Sequence, residues 1–140
     1  LSALRFGELA LEAGLPPGAL NIVTGLGHEA GAALAEHGDI NFVTFTGSNE
    51  VGTLVQQAAA KNAVKCVLEL GGKSPQIVFA DADLDRALPI IVRAIVQNAG
   101  QTCTAGSRLL LQRSIYDAFI ARVAEAFAKT RVGTPEMDLD

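Results

Sequence analysis

Hydrophobic positions along the chain switch repeatedly between a three-to-four-residue spacing and short unbroken runs. The first spacing predicts a helix over Ser2 to Ala13 with Ser2 as N-cap, stopped by Gly14 and then Pro16-Pro17-Gly18. Leu20 to Thr24, "LNIVT", reads as a short buried strand. Gly25 and Gly27 turn the chain into a small-residue helix that ends near His37. Ile40 to Thr46, "INFVTFT", is rich in β-branched and aromatic residues and predicts a strand. A helix starts just after Gly47, and Val64 to Leu70 forms another strand, closed by Gly71-Gly72.

The same alternation continues. "SPQIVFA", from Ser74, is a strand, followed by a helix that begins near Asp83. Pro89 falls about two turns into that helix, so a late start or a kink is expected there. Arg108 to Gln112 is a strand, and Ser114 with Asp117 resembles a capping box opening a helix to about Lys129. Strands alternating with helices through short turns predict parallel strands and an α/β layer fold.

Composition narrows the classes. A chain of 140 residues with 49% hydrophobic and 19% charged residues is that of a globular protein with a core. The net charge of −4, with scattered basic residues and no Lys/Arg run, argues against a nucleic-acid partner. No apolar run reaches membrane-spanning length and no signal peptide is visible. Cys66 and Cys103 lie in contexts too different for a disulfide or zinc site, which points to a reducing, cytoplasmic compartment. The start without Met and the polar "GTPEMDLD" tail read as a fragment.

Four features could carry chemistry. Gly25, Gly27 and Gly31 form G-x-G-x-x-x-G, and Gly47 and Gly52 form G-x-x-x-x-G. Each follows a strand and opens a helix, where helix amides and dipole favour a phosphate. The plain alternative is a tight turn with glycines for sterics. The second motif is no P-loop, because Thr53-Leu54 stands where Lys-Ser/Thr is required. Glu69 ends an apolar strand and is a candidate base, or simply a surface carboxylate. Cys66 reads as structural, whereas Cys103, in "NAGQTCTAGS", has the small neighbours of a candidate nucleophile. His28 and His37 are the only histidines, at no metal spacing, and read as solvent-facing.

Several segments taken together resemble the aldehyde dehydrogenase superfamily: "FTGS" with Gly52, "LELGGKSP", "GQTC" followed by "AGSRLL", and the flanking "LPPGALNIVTG" and "ADADLD". The resemblance implies a nucleophile at Cys103 and a general base at Glu69. It implies cofactor contacts at Gly27 and Gly31 near the adenine. Thr46, Gly47, Ser48, Val51 and Gly52 fall in the same cofactor set, with the pyrophosphate at Gly47, Ser48 and Gly52, and Leu70 beside the nicotinamide. NAD or NADP is the implied cofactor and an aldehyde the implied substrate, oxidised through a Cys thiohemiacetal and thioester to an acid. The loop's small residues would then leave room for the aldehyde, and the Cys103 N–H would face the developing oxyanion.

The implied fold is a parallel Rossmann-like sheet segment of the cofactor domain, residues 1–71, followed by the start of an α/β catalytic domain, residues 72–140. The family's Asn oxyanion donor, two ribose contacts, much of the aldehyde tunnel and the oligomerisation strand would lie outside these residues. Intact members are homo-oligomeric. The isolated chain is expected to be inactive and prone to self-association. A non-catalytic nucleotide-binding or structural remnant, and a cofactor-independent thiol esterase, are the alternative readings.

Overall fold

The computed structural model describes residues 1–134, 136 and 137; positions 135 and 138–140 of the expected polar tail lie outside the described residues. The chain divides into two compact units, Leu1–Leu68 and the residues from Glu69 onward.

The first unit opens with helix α1, Ser2–Glu12. Ser2 is its first helical residue and not its cap; Leu1 holds the cap position, without a side-chain hydrogen bond. The helix ends on Gly14 at φ +93°, with Leu15 N–H donating to Ala10 O and Gly14 N–H to Leu11 O. Those two bonds are a Schellman motif. The expected strand at 20–24 is instead an extended segment without a ladder. The described residues place no strand beside it, and Val23 is 81% exposed. A strand exists only through its neighbour, and local pattern does not supply one.

A single wide turn, Gly27–Gly31, leads into the short helix α2, Ala32–Ala35. Strand β1, Phe42–Gly47, helix α3, Asn49–Lys61, and strand β2, Lys65–Leu70, follow, with β1 and β2 neighbours in a two-stranded sheet. Helix α3 buries Gly52, Ala58 and Ala59, and α2 buries Ala35. With side chains this small the two backbones come close. Asn62 and Lys61 tie the helix ends together, donating at 2.8 Å to Glu36 O and Glu36 Oε1 respectively.

In the second unit β3, Pro75–Val78, pairs in parallel with β4, Arg108–Leu111, in the register Gln76 to Leu109 and Val78 to Leu111. Helix α4, Leu84–Val96, and helix α5, Tyr116–Ala128, pack with this pair. Val78, Ile91, Phe119 and Val123 form the buried core, with Leu84, Leu88, Leu109 and Leu111 around it. Asp83 caps α4, accepting from the Arg86 N–H at 3.2 Å. The helix runs on through Pro89 without a late start. Only one carbonyl, that of Asp85, loses its i+4 donor there, and packing of the apolar face outweighs it. The expected Ser114–Asp117 capping box is absent: Arg113–Ile115 form a 3₁₀ turn and Ile115 precedes α5 without a side-chain cap. Among the described residues no helix is long and apolar enough to cross a membrane.

Candidate active site

Cys103 sits on an exposed turn between α4 and β4. The chain reaches it through three successive left-handed residues, Asn98 at φ 51°, Ala99 at 54° and Gly100 at 74°. This reversal is what ends α4. Only Gly adopts that conformation freely, and Asn tolerates it. The Asn98 side chain closes the turn by donating to Gln101 O at 3.0 Å, while Gln101 N–H returns to Asn98 O at 3.0 Å. Past the thiol, Ala105 N–H donates to Thr102 O at 3.0 Å and Gly106 N–H to Ala94 O at 3.0 Å.

The loop's small residues have packing causes of their own. A side chain at Gly100 would start 3.1 Å from Ile95 O, and one at Gly106 would land 2.4 Å from the Gln76 amide. Ala105 is buried. Gly100, Ala105 and Gly106 are therefore small because backbone and core close around them, independently of any substrate. Among the described residues the Cys103 N–H has no acceptor.

Glu69 and Cys103 belong to the same compact unit. Glu69 lies at the end of β2, exposed, and its carboxylate has no partner among the described residues. The turn after it meets the thiol loop, since a Cβ built on Gly72 would lie 3.2 Å from Cys103 O. Leu70, between them, is half-buried. Cys66 is half-buried within β2 and, like Cys103, is a free thiol. His28 and His37 are both exposed.

In the first unit an apolar groove of about 850 Å³ runs between α2, β1 and α3. Gly27, Gly31 and Val51 line it, together with Phe42, Leu54 and Ala58. A Cβ at Gly27 or Gly31 would meet nothing within 4 Å, whereas one at Gly25 would clash with Ala30 at 2.8 Å. Gly25 is therefore required by packing, and Gly27 and Gly31 keep the groove open. Thr46, Gly47, Ser48 and Gly52 stand away from the groove, at the end of β1 and the first turn of α3. Ser48 Oγ accepts from the Val51 N–H at 3.2 Å and so caps α3. The Asn49 and Glu50 amides remain without an intrahelical acceptor. Gly47 has a local cause as well, because a Cβ there would sit 2.4 Å from the Phe45 ring.

Residues 1–140 match the aldehyde dehydrogenase family. The chain belongs to that family. It is 52% identical over 136 residues to an aldehyde dehydrogenase of Enchytraeus buchholzi, covering 96% of this chain and 27% of that one. The solved NAD-dependent aldehyde dehydrogenase from Sinorhizobium meliloti is 50% identical with a TM-score of 0.90, over 95% of this chain and 26% of that one. PnpE, crystallised with nicotinamide adenine dinucleotide, is 46% identical with a TM-score of 0.91, over 99% and 28%. The chain thus spans about a quarter of the length of these proteins. Their agreement with it in fold bears out the parallel α/β reading.

Sequence reasoning passed over Gln76. Its signal was available: in "SPQIVFA" the amide shares a face with Val78, a core position. It donates to Gly106 O at 2.9 Å and to Ile91 O at 3.4 Å.

Proposed function

We propose that this chain carries the thiol, the base and part of the dinucleotide site of an NAD(P)-dependent aldehyde dehydrogenase that converts an aldehyde to a carboxylic acid. The observation that carries the reading is the approach of the Gly72 turn, three residues after Glu69, to the backbone of Cys103. Family membership and the NAD named for the Sinorhizobium meliloti enzyme and for PnpE support it.

The groove fits the adenine end of such a cofactor. It is apolar, and the two glycines on its wall leave open the space a Cβ would fill. Gly27, Gly31 and Val51 would hold that end, and the free amides at the start of α3, beside Thr46, Gly47, Ser48 and Gly52, suit an anionic pyrophosphate. Leu70 follows Glu69 and would lie beside the nicotinamide. When bound, the dinucleotide supplies the hydride acceptor.

The protein's own part begins with the Cys103 thiolate, whose Sγ bonds to the aldehyde carbon. The unpaired Cys103 N–H donates to the oxygen on which charge develops. After oxidation Cys103 holds the acyl group as a thioester. Glu69, with no partner to give up, accepts a proton from the water that hydrolyses it, and the acid leaves as the thiol is restored. A reducing, cytoplasmic setting, which keeps the thiol free, and a homo-oligomeric whole protein belong to the same proposal.

The test is Glu69→Gln in the full-length protein containing this chain. A pre-steady-state burst of NAD(P)H is expected to survive while steady turnover falls, because water activation belongs to the second half-reaction. Loss of the burst with cofactor binding retained contradicts the base role.

A further inference from the structure

Gln76 is a polar residue on the face of β3 that builds the core, in register with Leu109 and two residues before the buried Val78. Burying an amide is unfavourable unless its hydrogen bonds are made. Both atoms facing this amide, Gly106 O and Ile91 O, are carbonyl oxygens, so the nitrogen is the end that meets them. Gly106 is held through both of its polar groups: its N–H donates to Ala94 O in α4 at 3.0 Å, and its oxygen accepts from Gln76 at 2.9 Å. A side chain at position 106 would occupy the place of the amide, 2.4 Å from Nε2. Gly106 stands three residues after Cys103, and the bond from Ala105 N–H to Thr102 O spans the thiol between them.

We propose that Gln76 is a positioning residue that anchors the downstream arm of the Cys103 turn and thereby sets the thiol and its N–H for attack. This rests on the reading of Cys103 as the nucleophile. Without the donor, the buried Gly106 oxygen loses its partner, and the turn relaxes toward another one. Displacements near 1 Å at a reacting group cost rate steeply.

The test uses the full-length enzyme containing this chain, with Gln76→Met, which keeps length and volume but cannot donate, and Gly106→Ala, which expels the amide from the other side. The rate constant of the NAD(P)H burst is expected to fall about 10-fold in both, with the burst amplitude per folded subunit and the cofactor Kd unchanged. A purely structural role lowers the thermal midpoint and the amplitude and leaves the burst rate constant at the wild-type value; that result overturns the proposal. Gln76→Asn, whose amide stops one methylene short, serves if Gln76→Met does not fold, with the same slow burst expected. Failure of all three to fold makes Gln76 structural and also overturns it. Cys103→Ser separates the two readings. If it retains the burst, the nucleophile assignment itself is wrong. If it abolishes the burst while Gln76→Met has the wild-type rate constant, only the positioning role fails.

Discussion

Two cysteines in one chain differ by their surroundings alone. Cys103 stands exposed on a turn, and Cys66 is half-buried between the valines and leucines of a strand. A thiol reacts as its exposed thiolate. Under native conditions iodoacetamide is therefore expected to modify Cys103 ahead of Cys66, as read by peptide mapping after short exposure. Preferential labelling of Cys66 would overturn the assignment. The thiol, the carboxylate and the glycines stand out in the sequence as candidates, each with a plain structural alternative. The reasons behind the glycines were not legible there. Gly25, Gly47, Gly100 and Gly106 answer to atoms close around them, while Gly27 and Gly31 face open space. One-letter spacing cannot tell those cases apart.

Two helices end in the same motif with different residues. After α1 the left-handed position is Gly14, and after α3 it is Ala63 at φ 54°, where Val64 N–H donates to Ala59 O and Ala63 N–H to Ala60 O. An alanine there carries a Cβ against the following carbonyl, a strain of about 1 kcal/mol. Ala63→Gly is therefore expected to raise stability by about 0.5–1 kcal/mol, and Gly14→Ala to lower it by about 1 kcal/mol. Urea midpoints of the two variants check the pair, and equal signs would refute the argument. The helices and strands with strong periodicity were legible to within a residue or two. The 20–24 strand and the Ser114 cap were not, because each depends on a partner: a neighbouring strand in one case, a free helix amide in the other.

On the scale of the chain, the two-stranded sheet of β3 and β4 has, among the described residues, helices against one face only. On the other, Ile77 is paired with Leu110, 61% and 47% exposed respectively, and Phe79, 61% exposed, lies two residues further on. Parallel sheets are ordinarily covered on both faces. The chain spans about a quarter of its relatives' length. Produced alone, it is expected to self-associate through such faces, with a sedimentation coefficient that rises with concentration. Ile77→Lys with Leu110→Glu, oppositely charged partners on the bare face, is expected to reduce that rise. A monomer at all concentrations would show that these side chains find cover within the chain.

The alternation of periods and the turn glycines determined by themselves that the chain is α/β and where most of its elements run, since both are local properties of the backbone. The same one-dimensional record carried the thiol and the carboxylate, and through their flanking motifs the family. Tertiary structure alone decided that the turn after Glu69 meets the backbone of Cys103, although 31 positions separate Gly72 from Cys103. It also decided that a core-facing amide, Gln76, would find its partner 30 residues away at Gly106. Contacts of that span arise when a sheet closes and brings distant carbonyls to a donor. No repeat, spacing or propensity along the chain encodes which carbonyl will be there.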